Sequence, residues 1–380
     1  AEEGGSNEPK FYDVVVIGTG GAGLSAAIQA HDEGANVLLI EKMSSIGGNT
    51  IKSSAGMNAA ETRYQRVKHI KDSKELFFEE TMKGGKNLNN PDLLRRFVEN
   101  APQAVEWLAT RGIMLNDLTF TGGMSVERCH RPRDGSAVGG YLISGLVRNI
   151  NKREIEVLLD TRVTKINYEK NSVRSLECVN EDGEQQTIRT NNVIVATGGF
   201  SANSEMVCQY QPQLTTNHKG ATGDGIKLLT DIGAGTVDMK QIQIHPTVEQ
   251  TTSYLISESI RGGGAILVSQ AGNRFFNELE TRDKVSAAII ALPEHYSYIV
   301  FDEHVHEKNK ATDEYIRANL VTQANTPEEL AQALKIDPAT FAKTLERYNG
   351  FVEKQHDDDF GRTTGLRAPI NKAPYYAIRI

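Results

Sequence analysis

The 380-residue chain contains little cysteine, and it lacks the features that mark several classes of protein. Its three cysteines, Cys129, Cys178 and Cys208, form neither a C-x-x-C pair nor a C-x-x-C-H haem attachment site. The sequence therefore offers no ligand set for haem, zinc or an iron–sulfur cluster, and we expect no metal site. Three widely spaced cysteines are compatible with free thiols in any compartment.

Long apolar runs and clusters of basic residues are also missing. No apolar run reaches the ~18–20 residues that span a bilayer, so we expect no membrane insertion. The formal net charge is -7, and basic and acidic residues are mixed along the chain, so nucleic acid is not expected as a partner. The length exceeds the ~100–200 residues of an ordinary domain and predicts two domains.

The beginning of the chain predicts a βαβ unit behind a polar leader. Residues 1–11 are expected to form a disordered leader or linker, which could follow a signal peptide or an upstream domain. Residues 13–17 have the composition of a buried strand, and a glycine-rich loop follows without a gap. Residues 24–33 favour a helix that ends at Gly34, and residues 36–40 form a second apolar strand before Glu41.

The glycine-rich loop has the spacing G-x-G-x-x-G at Gly18, Gly20 and Gly23. By itself this motif is weak evidence, because turns use glycine for purely conformational reasons. Here it lies between a predicted strand and a helix, whose N-terminal amides stabilise a pyrophosphate. Glu41, at the end of the next strand, is placed to bind ribose hydroxyls. We therefore predict a bound adenine dinucleotide.

Two further glycine-rich turns favour FAD over NAD. Lys42 and the turn at residues 46–50 follow Glu41, and residues 196–199 resemble the second nucleotide-side turn of FAD enzymes. Ordinary loop glycines are the alternative for each turn taken alone. Their order along the chain matches an FAD-binding arrangement.

The rest of the chain predicts a return to the first sheet and then an inserted domain. A helix is expected at 92–110, strands at 154–170 and 172–190, and a buried strand at 192–196 that rejoins the parallel sheet. The predicted inward face of the helix consists of Leu93, Leu94, Phe97, Val98, Ala101, Val105 and Leu108. Capped helices are expected after Thr326 and Asp337.

With these motifs, the sequence resembles the fumarate reductase/succinate dehydrogenase flavoprotein superfamily, above all the soluble flavocytochrome c fumarate reductases and the related urocanate reductases. The resemblance covers nearly the whole chain and rests on residues 18–23, 47–50, 130–135, 222–225, 245–247, 257–262, 273–278 and 281–283. It implies an α/β fold with a Rossmann-like FAD-binding domain at 12–235 and 357–380. The implied insertion is an α+β capping domain at 236–356, and residues 374–380 are expected to return to the first domain as a strand.

The resemblance also implies the residues that contact FAD. They are Gly18, Gly20, Gly21, Ala22, Gly23, Glu41, Lys42, Gly47, Gly48, Asn49, Thr50, Ser54, Ala55, Gly56, Thr197, Gly198, Gly199, Thr222, Gly223 and Asp224. Some members attach FAD to a histidine just after the second glycine turn. Residues 50–56 contain no histidine, so we expect non-covalent FAD.

For catalysis, the resemblance implies reduction of fumarate to succinate, with hydride from flavin N5 and a proton from Arg282. Glu258 and Arg261 would pass protons to Arg282, while His245 and Ser257 would bind the small dicarboxylate substrate. Ser257 replaces the threonine that is common in the family. Taken singly, Arg282 could form a surface pair with Asp283, Glu258 and Arg261 could be a helical pair, and His245 could be a core histidine.

Two parts of the family pattern are not found in the sequence. The family continues beyond the strand matching 375–380 with further substrate-binding residues, so we expect a fragment. The electron donor, a cytochrome or an FMN domain or protein, is expected to be separate. Soluble relatives are often periplasmic, with the cytoplasm as the alternative location.

Alternative functions are reduction of another unsaturated acid such as urocanate, oxidation of the L-aspartate or ketosteroid type, or a catalytically incomplete flavin-binding fragment.

Overall fold

The computed structural model describes residues 9–209, 217–252 and 254–380. Of the predicted leader, residues 1–8 lie outside this part, and Phe11 already belongs to the first strand. Over the described residues the strands are β1 (Phe11–Tyr12), β2 (Val14–Ile17), β3 (Val37–Ile40), β4 (Met57–Asn58), β5 (Asp117–Thr119), β6 (Cys129–Arg131), β7 (Glu156–Leu158), β8 (Thr161–Glu169), β9 (Ser172–Asn180), β10 (Gln185–Thr190), β11 (Val193–Val195), β12 (Ile266–Val268), β13 (Tyr298–Asp302), β14 (Thr322–Ala324) and β15 (Tyr375–Arg379).

The helices complete the element order. In the same ranges they are α1 (Gly21–Asp32), α2 (Arg63–Val67), α3 (Lys74–Gly84), α4 (Pro91–Ala109), α5 (Val138–Lys152), α6 (Ser204–Cys208), α7 (Asp224–Thr230), α8 (Glu258–Gly262), α9 (Arg282–Ile290), α10 (Glu303–Lys308), α11 (Ala311–Arg317), α12 (Pro327–Leu334) and α13 (Pro338–Lys354). A short 3-10 turn covers Thr50–Lys52. Within these ranges, no helix combines the length and apolarity needed to cross a bilayer.

The first of two units comprises Ala1–Ser53 and Gly139–Ile242. Its central sheet is parallel, with strand order β11-β2-β3-β7. The predicted βαβ unit is confirmed as β2, α1 and β3, and the predicted return of the chain is confirmed as β11 beside β2. Helix α1 begins three residues earlier than predicted, because the last residues of the glycine loop are already helical.

A second sheet in the first unit, with order β1-β10-β9-β8, packs on the parallel one. Their shared apolar core includes Val15 of β2, Leu38 of β3 and Leu176 of β9. Cys178 lies in this core as a free thiol, and Cys129 of the other unit is also free and buried. The side chain of Cys208 lies outside the described part.

The second unit comprises Ser54–Val138 and Gln243–Ile380. Its main sheet is antiparallel, with order β12-β13-β15-β14, and a small sheet β4-β6-β5 lies in the same unit. Alternate residues of the main sheet enter two cores. Tyr375 and Ala377 pack in a core with α12 and α13, whereas Tyr376 and Ile378 pack on the other face with residues of α8, α9 and α11. Both faces are covered, which explains the continuous apolar run of β15.

This arrangement corrects the predicted division of the chain. Strand β15 pairs with β13 over five positions and with β14 on its other side, so 374–380 does not return to the first sheet. Residues 54–138 also belong to the second unit, which therefore extends well beyond the predicted range 236–356. An apolar strand alone does not specify its sheet, because partner strands far away in sequence decide the pairing.

Helix α4 confirms the helix predicted at 92–110, but its buried face is narrower than the predicted one. Leu94, Val98 and the later predicted positions Ala101, Val105 and Leu108 are buried. Leu93 and Phe97 are 68% and 52% exposed, although Phe97 makes an edge contact with Phe77. The buried stripe follows the 3.6-residue period strictly, and these two positions fall at its border.

Candidate cofactor site and active site

The three motif glycines of the first unit differ in the space around their Cα atoms. A Cβ added to Gly18, whose φ is +109°, would lie 2.1 Å from the Ala196 carbonyl oxygen, and one on Gly23 would lie 1.9 Å from the Gly18 oxygen. A Cβ on Gly20 would meet nothing nearer than Thr50 Oγ1 at 3.6 Å. Gly18 and Gly23 thus allow close packing, whereas Gly20 lines a cavity at the N-terminus of α1. A pyrophosphate fits this arrangement.

A cavity extends from this loop, and most of the predicted FAD contacts line it. They are Gly18, Gly20, Gly21, Ala22, Glu41, Lys42, Gly48, Asn49, Thr50, Thr197, Gly198 and Asp224. The lining does not include the predicted residues Gly23, Gly47, Gly199, Thr222 and Gly223, which lie within two positions of lining residues in sequence. Ser54, Ala55 and Gly56 belong to the second unit, and their contact with FAD stays a prediction.

Several lining residues were not predicted from the sequence. They include Thr19, Thr161, Arg162, Val163, His218 and Gly220. Residues 161–163 begin strand β8, which the sequence indicated only as a strand. Thr19 occupies a variable position of the glycine motif, so motif spacing gives no signal for it.

Glu41 anchors the glycine loop from the end of β3. The side chain is 7% exposed, and its carboxylate accepts hydrogen bonds from Thr19 Oγ1 at 2.7 Å and from the Met43 amide at 3.1 Å. The Thr19 amide is a third donor, at 3.3 Å. A carboxylate offers about four acceptor positions. Glu41 can therefore hold the loop and still accept a hydrogen bond from a ribose hydroxyl.

We predict that Glu41→Ala weakens FAD binding by about tenfold to a hundredfold, the effect of losing a buried hydrogen bond to a charged group. The dissociation constant would be measured by quenching of flavin fluorescence in the apoprotein. Glu33→Ala is the matched control, since this exposed carboxylate at the end of α1 accepts a hydrogen bond from Gln29 and does not line the cavity. Equal FAD affinity in Glu41→Ala and the unmodified protein would remove the proposed ribose contact.

The second glycine turn packs directly on the dinucleotide loop. The Gly47 amide donates to the Thr19 carbonyl at 3.1 Å, and the Gly21 amide donates to Thr50 Oγ1 at 2.9 Å. Lys42 pairs with Asp224 at 3.1 Å and also donates to Thr222 Oγ1. Thr222 thus helps to fix Lys42, and its own contact with FAD stays a prediction. The residues present fit FAD, whose two halves need two such turns.

In the second unit, the structure brings the three predicted proton-transfer residues together. Glu258 and Arg261 lie on α8, and Arg282 begins α9. One oxygen of Glu258, Oε1, lies 3.5 Å from Arg282 Nε and 3.6 Å from Arg261 Nη2. These are ion-pair distances rather than short hydrogen bonds, and they allow either arginine to approach the shared carboxylate.

The two arginines differ in burial. The side chain of Arg261 is 0% exposed and that of Arg282 is 35% exposed. Desolvation by burial lowers the pKa of Arg261 to about 10, assisted by the charges of Arg282 and Arg362 and opposed by Glu258 and Glu278. Arg261 Nη1 donates to the Glu278 carbonyl at 3.0 Å. Its Nε and Nη2 have no hydrogen-bond partner within the described ranges. Arg261 is thus more acidic than an ordinary arginine.

His245 presents a neutral donor. The Thr247 amide donates to His245 Nδ1 at 3.2 Å, so the ring proton belongs on Nε2. Burial is the largest cause that holds the pKa of His245 well below its usual value, and Arg261 and Arg282 act in the same direction. His245 is therefore uncharged near pH 7, and its Nε2–H can donate to a carboxylate.

Ser257 has a local structural role that the sequence did not reveal. Its hydroxyl caps α8 by accepting from the Ser259 amide at 3.2 Å, and it shares a 2.7 Å hydrogen bond with Ser259 Oγ. Its amide donates to Tyr315 Oη at 2.8 Å. A role in substrate binding stays a prediction, because the hydroxyl already has partners within the chain.

Neighbours of the arginines include residues that were not predicted. Arg282 Nη1 donates to Gln243 Oε1 at 2.9 Å, and a Cβ on Gly122 would lie 3.1 Å from Glu258 Oε1. Asp283 pairs with Lys86 at 3.2 Å, whereas the partner of Arg282 is Glu258. The alternative of an Arg282–Asp283 surface pair is therefore wrong.

The motif at residues 130–135 is structural in its first two members. His130 Nε2 accepts from Thr62 Oγ1 at 2.7 Å, and its Nδ1 donates to the Arg128 carbonyl at 2.7 Å. Arg131 is held by Asp117 at 2.7 Å and by Asn309 Oδ1 at 2.7 Å. Both side chains are buried and engaged within the second unit.

The family is decided by comparison with known proteins. The sequence model of the FAD binding domain family matches residues 13–380. The chain belongs to this family. It is 72% identical over 385 residues to the NADH:fumarate oxidoreductase of Klebsiella pneumoniae, a match that covers 100% of this chain and 42% of that protein. A fumarate reductase (cytochrome) of Shewanella frigidimarina is 40% identical over 373 residues, covering 97% of this chain and 65% of that protein.

A solved structure gives the same result for the fold. The open conformation of a flavocytochrome c3 fumarate reductase matches with a TM-score of 0.73 and 36% identity, covering 98% of this chain and 67% of that one. The fumarate reductase flavoprotein superfamily, the α/β FAD-binding fold and the FAD cofactor predicted from the sequence are thus confirmed. The chain spans 42% and 65% of the two relatives named above, less than two thirds of either.

Proposed function

We propose that the protein reduces the carbon–carbon double bond of fumarate to give succinate. The observation that carries this proposal is the meeting of Arg282 and Arg261 on one oxygen of Glu258. Reduction of a conjugated dicarboxylate needs a proton at one alkene carbon, a hydride at the other, and donors that hold the carboxylates. FAD, once reduced, supplies the hydride from its N5 position.

His245 holds one end of the substrate in this proposal. Its neutral Nε2–H donates to a carboxylate, and that hydrogen bond strengthens as negative charge builds up on the same group during hydride addition. Arg282 donates a guanidinium proton to the other alkene carbon. Gln243 orients Arg282 by accepting a hydrogen bond from Nη1. The other N–H donors of the guanidinium then serve Glu258 and the substrate.

Glu258 restores the proton that Arg282 gives up. A free neutral arginine is too costly to accumulate, because its guanidinium hardly ever loses a proton. Glu258 lies 3.5 Å from Arg282 and can pass a proton to it in near concert. As Glu258 gives its proton to Arg282, Arg261 protonates Glu258 at lower cost than an ordinary arginine would, because burial has lowered the pKa of Arg261 to about 10. A proton from solvent then restores Arg261, so every group of the relay returns to its starting charge.

The proposal is tested by the anaerobic oxidation of reduced methyl viologen on adding fumarate to FAD-loaded protein. The assay would be run on the 380-residue chain and on any longer protein that contains it, with urocanate as a second acceptor. Fumarate-dependent turnover in either form supports the proposal. Turnover with urocanate alone would identify urocanate, and not fumarate, as the substrate. Bound FAD that neither acid reoxidises would leave a flavin-binding module without this activity.

We predict that His245→Ala raises KM for fumarate by about tenfold to a hundredfold, through loss of a hydrogen bond to a charged acceptor. Because the low pKa keeps His245 neutral, this effect should be the same at pH 7 and pH 8.5. A binding imidazolium would instead lose its contribution as pH rises through a raised pKa. His295→Ala, which alters an exposed ring bonded to the Ile290 carbonyl, is the control. Equal KM in both variants would contradict the assignment.

Non-covalent FAD, the electron donor and the compartment complete the proposal. Residues 50–56 contain no histidine that could attach the flavin. One relative is named a fumarate reductase (cytochrome), which supports a cytochrome as the electron donor, and another is named an NADH:fumarate oxidoreductase, which supports NADH as the source of the electrons. An FMN domain or protein as the donor stays a prediction from the sequence. A periplasmic location, as in the soluble flavocytochromes that the sequence resembles, is part of the same proposal. Analysis of flavin released by acid precipitation tests the non-covalent attachment.

A further inference from the structure

His218 lines the cofactor cavity, although it belongs to none of the motifs discussed above. Its ring lies over the second glycine turn, where a Cβ placed on Gly48 would be 3.8 Å from His218 Nε2. The same point is 3.4 Å from the Gly20 Cα atom. His218 Nε2 and the dinucleotide loop therefore both lie within 4 Å of one point beside Gly48.

The hydrogen bonds of His218 fix which nitrogen carries the proton. The Gly220 amide donates to His218 Nδ1 at 3.2 Å, so the ring proton belongs on Nε2. Burial is the main cause that lowers the pKa of His218. Lys52 and Lys42 lower it further, and Glu41 opposes them. The ring is thus a neutral donor near pH 7, with the same backbone arrangement as His245 and Thr247.

The surrounding chain is shaped to hold this ring. The His218 amide donates to Asn49 Oδ1 at 2.8 Å, which ties the residue to the second glycine turn. A Cβ on Gly220 would lie 2.6 Å from His218 Cε1 and would displace the ring. The position of the His218 ring therefore requires glycine at position 220, so we treat His218 and Gly220 as one structural unit.

We propose that His218 Nε2–H donates a hydrogen bond to the diphosphate of FAD. Gly20, the N-cap residue of α1, lines the same cavity as His218, and the loop amides and the N-terminus of α1 favour an anion there. A neutral N–H this close to the dinucleotide loop adds a hydrogen bond to an ionised acceptor, which is stronger than one between neutral groups. The inference rests on FAD binding by this family and is independent of fumarate as the substrate.

The test measures binding to the apoprotein with three probes: FAD, ADP and riboflavin. ADP carries a diphosphate without the flavin, and riboflavin carries the flavin without a phosphate. His218→Ala should weaken binding of FAD and of ADP by about tenfold to a hundredfold and leave riboflavin binding unchanged. His218→Gln, which restores an N–H donor, should recover most of the affinity. His31→Ala, on the outer surface of α1, is the matched control.

A double-mutant cycle separates the donor from a general loop effect. Gly220→Ala should weaken FAD binding in the unmodified protein and add little in the His218→Ala background, because it acts by displacing the ring. Unchanged ADP binding in His218→Ala would overturn the diphosphate contact. Equal losses in His218→Ala and His218→Gln would overturn the donor role and leave a packing role. Circular dichroism spectra identify variants that fail to fold, and Gly220→Ala then serves as the second probe of the ring.

Discussion

Arg282→Gln is expected to lower fumarate-dependent turnover by about 10²- to 10⁴-fold while the protein keeps its FAD, as is typical for loss of a general acid. Glutamine retains polarity and some hydrogen bonding, but it cannot exchange a proton with Glu258. The measurement is the steady-state rate of methyl viologen oxidation with fumarate. The flavin content of each preparation is determined from its absorbance spectrum.

Two variants make the result specific. Lys284→Gln removes an exposed cation of the same helix whose partner is Glu280 at 3.7 Å, and it should leave turnover unchanged. Arg282→Lys keeps the charge and an exchangeable proton but loses the planar guanidinium that reaches both Glu258 and Gln243, so we expect partial activity. Appreciable turnover in Arg282→Gln would exclude it as the acid. A loss of FAD would point instead to misfolding.

The fold of the first unit could be predicted well, because its information is local. A strand, a glycine loop and a helix are contiguous at 13–33, and the structure confirms that Gly18 and Gly23 of the motif leave no room for a Cβ. Strand β15 could not be assigned in the same way. Its partners β13 and β14 are more than 50 residues away in sequence, and its apolar run is equally suited to either unit.

The site shows the same limit. The family motifs predicted Glu258, Arg261 and Arg282, and the structure brings them within ion-pair distance. The sequence did not predict Gln243, Gly122 and His218, since each reaches the site through contacts with residues far away in sequence. No local motif spacing marks these positions. Adjacency in sequence made a pair of Arg282 with Asp283 an alternative prediction. At the start of α9 the two side chains point to different neighbours, and Asp283 pairs with Lys86.

The motif at 273–278 illustrates how a family signature differs from a functional role. Arg274 makes two hydrogen bonds to the fully buried Glu278, at 2.6 and 2.9 Å, and pairs with Asp357 at 3.0 Å. Arg362 approaches Glu278 Oε1 at 3.3 Å and donates to the Arg261 carbonyl at 2.8 Å. The signature thus encodes a buried ionic network that supports the backbone of Arg261.

Glu278→Gln should destabilise the protein by about 3–5 kcal/mol, because it leaves buried arginine charge without its partner. Burial alone would raise the pKa of Glu278, but Arg274 and Arg362 outweigh it and hold this pKa below its usual value. A lowered carboxyl pKa contributes stability above the unfolded value of about 4.3, and that contribution is lost as pH falls through the folded pKa. The difference between the variant and the unmodified protein should therefore be full at pH 7 and shrink below about pH 4.

Urea unfolding followed by circular dichroism at several pH values measures this difference. Glu280→Gln is the control, because its exposed carboxylate pairs only loosely with Lys284 and its loss should change stability by less than about 0.5 kcal/mol. Equal stability of Glu278→Gln and the control would contradict the network.

Since the Glu278 carbonyl and Arg362 both hold Arg261, folded Glu278→Gln protein should also turn over more slowly with fumarate while its FAD affinity stays unchanged. A slower rate together with unchanged FAD binding would show that a residue without contact to substrate positions the proton-transfer group.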